Sequence, residues 1–163
     1  MEEVIYDRTN TDVQLVKQYR EKIRKNGFDS LTQAEQALWI AGMKGAYNYT
    51  DYNRVGRCMN YLSNMLAGMG YSISITAKTD WSIADEPTTA QLAKIITDLN
   101  TLRNTIALFA DTPDTPSDFE APTYVDANAI EKILYDLNRM ALAIEEEARR
   151  CGTFNCGEGD VLD

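Results

Sequence analysis

Carboxylates beside an aromatic ring are the residues of this sequence with the clearest potential for catalysis. Asp80 and Trp81 are followed closely by Asp85 and Glu86, and two carboxylates about 5–10 Å apart can hydrolyse glycosides. However, the 163 residues include 25 Asp and Glu, so that some pairs of this kind arise by chance. We therefore favour a structural role for these segments, and expect Trp39 and Trp81 to be core or lid aromatics.

The cysteines are the other reactive side chains. Cys151 and Cys156 lie on either side of a glycine-containing turn, where they could form a disulfide or one half of a metal site. No histidine and no second cysteine pair is present to complete a tetrahedral site. We therefore expect free thiols, no metal and no cofactor, and leave open whether Cys151 and Cys156 pair.

A short motif of aspartate and asparagine occurs twice. Asp51 and Asn53 match Asp126 and Asn128 at an offset of 75 residues. Both residue types can bind a metal through oxygen, but an EF-hand loop needs further ligands and a central glycine. We interpret the motif as a helix start, in which the aspartate interacts with the helix dipole and the asparagine hydrogen-bonds exposed backbone or a neighbouring segment.

Composition excludes several classes of function. The absence of histidine rules out Ser-His-Asp and Cys-His catalysis and sites in which histidine binds zinc. The glycine patterns of nucleotide-binding loops are also missing. A net charge of −9 argues against binding to nucleic acid or to an anionic membrane. We therefore predict a protein without enzymatic activity and without a small-molecule substrate.

Capping residues and apolar spacing predict five helices. We place them at 12–25, after Thr32, at 50–70, at about 88–110 and at 123–152. Capping boxes are expected at Thr11 and at Thr32, and Thr50 is expected to cap the third helix. Apolar residues recur every three or four positions in the last three helices, which is typical of helix–helix packing.

Three of these helices are related by an internal repeat. The units are 49–70, 88–110 and 123–150, and the middle unit matches more weakly. The segment 111–122 is rich in Pro and Asp and is predicted to be an exposed linker. The predicted fold is mainly α: one domain over 1–163, built as a small bundle of three long repeat-related helices and two shorter N-terminal ones.

A minor β element is predicted at about 71–78. Apolar and small polar residues alternate over 71–76, which is the pattern of a half-buried strand. Because a lone strand is not stable, its partner is expected to be residues 4–6, residues 153–155, another copy of the chain or a different protein. The predicted partner-binding residues are Tyr71, Ile73, Ile75 and Phe154.

Five groups of residues carry a family resemblance. They are Ile5-Tyr6-Asp7-Arg8-Thr9, Gly45-Ala46-Tyr47-Asn48 with Asp51-Tyr52-Asn53-Arg54-Val55, Thr79-Asp80-Trp81 with Pro87-Thr88, 126–134, and Phe154-Asn155-Cys156-Gly157-Glu158. Over nearly its whole length the chain resembles a family of bacteriophage tail structural proteins encoded in prophages of Gram-positive gut bacteria. These are packing and capping motifs, so they indicate a family more than an activity.

The resemblance implies a non-enzymatic virion protein near the distal tail, the baseplate or the fibre attachment. Its expected partners are other copies of itself in a symmetric homo-oligomer and other phage tail proteins. It would be made in the cytoplasm of the host, since the acidic start of the sequence does not indicate a signal peptide. The alternative is an acidic helical adaptor or regulator that binds a basic protein, because residues 61–163 carry 17 acidic and seven basic side chains.

Overall fold

The computed structural model describes residues 1–151, which are mainly helical, as predicted. The helices are α1 (Asn10–Asn26), α2 (Gln33–Ala41), α3 (Tyr49–Gly68), α4 (Thr89–Arg103) and α5 (Tyr124–Cys151), and a short 3-10 helix (Phe28–Ser30) joins α1 to α2. The predictions for Phe154 and for a Cys151–Cys156 pair lie outside the described residues and side chains.

Every one of these α-helices begins with a capping box. The N-cap side chain accepts a hydrogen bond from the backbone of the first turn, and the side chain of the third helical residue accepts one from the N-cap amide. The pairs are Thr9 with Asp12, Thr32 with Glu35, Asn48 with Asp51, Thr88 with Gln91, and Thr123 with Asp126.

Two of the predicted caps were misplaced. The first helix is capped by Thr9, because the Asp12 carboxylate reaches back to the Thr9 amide at 2.8 Å; the expected cap, Thr11, lies inside the helix. The third helix is capped by Asn48 instead of Thr50, since Asp51 accepts from the Asn48 amide at 2.9 Å. In both cases an acidic side chain three positions after the cap decides where the helix begins.

Helices α3, α4 and α5, which fall in the three predicted repeat units, pack against one another and supply most of the core. Burial of a large aliphatic side chain stabilises the fold by about 1.5–3 kcal/mol. By contrast, α1 buries only Val16 and α2 buries no residue. The fully buried aliphatic residues of the core include Leu62, Leu66, Leu99, Leu102, Ile130, Ile133, Leu134 and Leu137.

The segment 111–122 is not the wholly exposed linker that was predicted. Phe119 is only 1% exposed, and its ring packs edge-on against Tyr47 at 5.3 Å and Tyr52 at 5.9 Å between centroids. The buried Thr112 donates a hydrogen bond to Asp136 at 2.9 Å. The large apolar surface of Phe119 is removed from water in this way, which anchors the segment to the helices.

Residues 71–78 form no β-strand within the described part of the chain. Their burial nevertheless alternates, with Ile75 9% exposed and Ser74 and Thr76 exposed. The backbone of this segment is hydrogen-bonded to side chains of α3. Pairing with residues 4–6, one of the predicted options, does not occur, because Ile5 and Tyr6 contact Glu131 and Tyr135 of α5 instead.

Candidate interaction site

The asparagines of the repeated motif each hold one backbone position of a neighbouring segment. Asn53 donates from Nδ2 to the Trp81 carbonyl at 2.8 Å and accepts from the Trp81 amide at 2.7 Å. Asn128 donates to the Arg8 carbonyl at 2.8 Å and accepts from the Arg8 amide at 3.0 Å. Each amide side chain thus satisfies one peptide donor and one peptide acceptor.

The aspartates of the motif serve mainly as caps. Asp126 accepts from the amide and the hydroxyl of Thr123. Asp51 caps α3 and also has arginine partners. Within residues 1–151, no three His, Cys, Asp or Glu side chains are grouped so that they could hold a metal ion.

Asp51 belongs to a buried ionic cluster with Arg8, Arg54 and Glu131. Arg8 donates to Asp51 at 2.9 Å and to Glu131 at 2.8 Å. Arg54 donates to Glu131 at 2.7 Å and also contacts Asp51. The Glu131 side chain is fully buried and that of Arg8 is 2% exposed. The two positive and two negative charges balance one another, which buried charges require.

Hydrogen bonds extend this cluster to the surrounding backbone. Glu131 accepts from the Ile5 amide at 2.6 Å, and Arg8 donates to the carbonyls of Ile5 and Lys44. Burial lowers the pKa of Arg54, but the hydrogen bonds to Glu131 and Asp51 and the negative charges of these two residues together raise it more, so that the net shift is upward. The cluster therefore joins the N-terminal segment, the loop before α3, and helices α3 and α5.

Sequence reasoning missed this cluster. The signal that could have indicated it is Glu131, an acidic residue that directly follows Ile130 within the apolar stripe of α5. A second buried acid, Asp136, has a similar position and is paired with Lys132 at 2.6 Å. An acidic residue at a core position requires a buried cation or hydrogen-bond donors.

Tyrosine rings cover the cluster. Tyr47 and Tyr52 meet edge-to-face at 5.1 Å, and the Arg8 guanidinium lies 5.4 Å from the centre of the Tyr47 ring. The Tyr47 hydroxyl is buried and has no hydrogen-bond partner in the described part of the protein. Burial, followed by the negative charges of Glu131 and Asp51, raises the pKa of Tyr47 well above its ordinary value.

Further contacts fix residues 75–81 along α3. Ser63 accepts from the Ile75 amide at 2.9 Å, and Asn60 pairs with both backbone groups of Ala77 at 2.7 and 3.0 Å. Between these contacts and Trp81, the segment approaches α3 at Gly56, where an added Cβ would lie 2.3 Å from the Lys78 carbonyl oxygen. The chain thus runs antiparallel to α3 and requires glycine at position 56.

The side chains of three of the four predicted partner-binding residues lie against the protein's own core. Ile75 belongs to the core cluster, and Tyr71 and Ile73 pack against it while partly buried. The remaining predicted residue, Phe154, lies outside the described range. What the segment presents to solvent is therefore its other side, formed by Ser72, Ser74 and Thr76.

Two of the three carboxylates near Trp81 have a local partner. Asp80 pairs with Lys78 at 2.7 Å on the surface, and this hydrogen bond lowers the pKa of Asp80. Asp85 accepts from the Ser82 amide at 2.6 Å. Trp81 is 6% exposed and packs against Tyr52 at 5.5 Å. Trp81 is therefore a core aromatic.

An apolar groove of about 610 Å³ lies between α2 and the start of α3. Ile40 is 76% exposed and Ile83 is 89% exposed at its margin. Among the described residues of the groove lining, Arg20 alone is charged. Sequence analysis missed this surface, because the apolar residues of a short helix can equally well belong to a core. The groove is lined by Arg20, Trp39, Ile40, Ala41, Gly42, Met43, Ala46, Asn48, Tyr49, Thr50 and Ile83.

In the part of the chain that the structure describes, no helix is sufficiently long and apolar to cross a membrane. Comparisons with protein-family models, with curated proteins and with solved structures found no match.

Proposed function

We propose that this protein is a non-enzymatic structural component of a phage tail or a tail-like particle, acting in assembly or attachment at the distal tail, the baseplate or the fibre. The resemblance of its capping and packing motifs to tail proteins supports this assignment. The structural observation that carries it is the exposed apolar groove between α2 and α3.

The groove has the composition of a protein-binding surface. Both isoleucines of the groove are strongly exposed, Ile83 at 89% and Ile40 at 76%. Concentrated exposed apolar surface marks sites of interaction in otherwise water-soluble folds. A protein partner that covers these side chains would gain hydrophobic stabilisation from each. Further copies of the chain and other tail proteins are the proposed partners.

The placement of the buried acids supports a structural role as well. Asp51 and Glu131 are neutralised by arginines, and Asp136 by Lys132. A general acid or base needs a position from which it can exchange a proton with a substrate. These three carboxylates instead hold parts of the same chain together.

Particle purification tests this proposal. We expect the chain to co-purify in fixed stoichiometry with tail particles from induced cells of a strain that carries its gene, and cryo-electron microscopy to locate it there. The variant Ile40→Asp/Ile83→Asp should be excluded from the particles while retaining the wild-type circular dichroism spectrum. The matched control, Leu142→Asp on α5, changes a residue that is 46% exposed and should be incorporated normally. Particles that lack the wild-type chain would overturn the proposal.

The adaptor alternative rests on the acidic charge after residue 60. Part of this charge is paired on α5, where Glu145 and Glu146 contact Arg149 and Arg150, which weakens the case for a basic partner. Salt dependence separates the two proposals. Binding to a captured partner that survives 1 M salt, where the Debye length is about 3 Å, indicates apolar contact, whereas loss of binding favours the adaptor.

A further inference from the structure

The fifth residue of helices α3 and α5 is an asparagine that binds a chain segment running antiparallel to the helix. Asn53 of α3 bonds both backbone groups of Trp81, and Asn128 of α5 bonds both backbone groups of Arg8. The fifth residue of α4 is Ala93, whose methyl group cannot form a hydrogen bond. Helix α4 therefore lacks the side chain that holds a neighbouring backbone in the other two helices.

A segment nevertheless lies along α4 in the same antiparallel direction. Asp114 contacts Arg103, the last residue of α4, at 3.3 Å. Ala93, near the start of α4, lines a cavity of about 200 Å³ together with residues 117–120. Residues 114–120 thus run from the end of α4 back towards its start, and the cavity separates them from position 93.

The backbone of residues 113–121 is not bonded to any helix in the described part of the chain. The one hydrogen bond that this backbone forms there is between an amide and a side chain of the same segment. Pro113 and Pro116 have no amide to donate. By contrast, the backbone of residues 75–81 forms five hydrogen bonds to side chains of α3.

Side chains alone hold residues 113–121 in place. Phe119 is 1% exposed and packs against the rings of Tyr47 and Tyr52. The contact of Asp114 with α4 lies on the surface, where ion pairs contribute little. The Thr115 hydroxyl is buried and has no partner among the described residues. Such a hydroxyl destabilises the closed arrangement, because it would regain a hydrogen bond to water if the segment moved away.

We propose that residues 113–121 form a strap that opens while α3, α4 and α5 stay folded, because position 93 lacks the asparagine that holds the other two segments. Opening moves Phe119 into water and uncovers the rings of Tyr47 and Tyr52. Segments with few backbone bonds to the rest of a fold open at a lower free energy than its core does. The strap is a property of the single chain, so this proposal goes beyond the assembly role and does not depend on it.

Chymotrypsin tests the proposal, because it cleaves after an aromatic residue only where the backbone around that residue has opened. Phe119 and Trp81 both pack against Tyr52, and Phe119 is the more buried of the two, at 1% against 6% exposed. Burial alone predicts that Phe119 is protected at least as well as Trp81. The strap predicts the reverse, since of these two residues only Trp81 is held by an asparagine.

The first cuts in the full chain are identified by mass spectrometry, and each rate is divided by the rate at the same bond in the unfolded chain. Cleavage follows the population of the open form when opening and closing are fast. We expect the relative rate after Phe119 to be at least about tenfold higher than that after Trp81. It should rise only weakly with urea below the unfolding transition, since local opening exposes little surface. Equal relative rates, or a urea dependence as steep as that of global unfolding, would overturn the proposal.

A variant with an asparagine side chain on α4 tests the cause of opening. Ala93→Asn should slow the cut after Phe119 about tenfold, as expected for one or two added hydrogen bonds. The matched control is Ala90→Asn, which changes an exposed alanine of α4 away from the cavity and should leave this rate within about twofold of wild type. The cut after Trp81 should be unchanged in both variants. An Ala93→Asn variant that is cleaved after Phe119 as fast as wild type would overturn the proposal.

Discussion

Asn53 and Asn128, which lie 75 residues apart in helices α3 and α5, hold an extended backbone by the same pair of hydrogen bonds. Three positions further along each helix, the repeat has diverged. Gly56 permits the Lys78 carbonyl to approach α3, whereas Glu131 accepts a hydrogen bond from the Ile5 amide. In both α3 and α5 the asparagine therefore joins the helix to a segment that lies along it.

Loss of either asparagine should destabilise the fold to a similar extent. Asn53→Ala and Asn128→Ala each leave one peptide donor and one acceptor without a partner, and we expect each to lower the free energy of unfolding by about 1–3 kcal/mol. Urea denaturation followed by circular dichroism measures this change. The exposed Asn64 of α3 provides the control, and its change to alanine should stay within about 0.5 kcal/mol. If only one of the two asparagine variants lost stability, the two asparagines would not be equivalent.

Removal of the charge of Glu131 should have a larger effect. Glu131→Gln keeps the shape of the side chain but leaves Arg8 and Arg54 with Asp51 as their sole carboxylate partner in the cluster. Breaking a buried ion pair costs about 3–5 kcal/mol. Glu145→Gln, on the exposed part of α5, should cost under about 1 kcal/mol. Urea denaturation measures the free energy of unfolding of both variants. Equal values for Glu131→Gln and Glu145→Gln would mean that the buried cluster stabilises the fold no more than a surface ion pair does.

Two glycines of α3 should respond to alanine in opposite directions. At Gly56 the new methyl group would lie 2.3 Å from a backbone oxygen, and we expect a loss of about 1–3 kcal/mol. At Gly68 nothing lies within 4 Å, so that the higher helix propensity of alanine should stabilise the protein by up to about 1 kcal/mol. Thermal unfolding distinguishes the two, and a stabilised Gly56→Ala variant would exclude the close approach of residue 78.

The contact of Glu35 with α1 should depend on pH. Hydrogen bonding to Lys22, followed by that to the Thr32 backbone, lowers the pKa of Glu35 below its ordinary 4.5. A carboxyl group with a lowered folded-state pKa stabilises the protein above the unfolded pKa, and this stabilisation is lost as the pH falls through the folded value. Glu35→Gln should therefore be less stable than wild type at pH 7, and the difference should shrink below pH 4.5. Urea midpoints across pH 3–7 measure it, and a constant difference would contradict the assignment.

Local patterns predicted the helices but not the partners of the extended segments. The spacing of Leu62, Leu66 and Leu134 reports burial on a helix face, and these residues are in the core. The alternation around Ile75 likewise reports burial on one side. It carries no information on whether the backbone bonds to a strand or to side chains, and here α3 provides the side chains.

The ionic cluster could not be predicted because its members are distant in sequence. Arg8 and Glu131 are separated by 123 residues, and no local pattern connects them. The groove was missed for a related reason. The apolar residues of α2 are compatible with either a core or a surface, and only the packing of the other helices leaves Ile40 in water.

Because each α-helix has its own capping box, its first residue is specified by the four residues at its start. The position at which the helix begins therefore does not depend on the length of the preceding loop. Residues can therefore be inserted before Thr88 without shifting the register of Leu92 or Leu99 in the core. The exposed residues 82–86 are thus a place where related chains can differ in length, or where a tag can be introduced, while the helices keep their alignment.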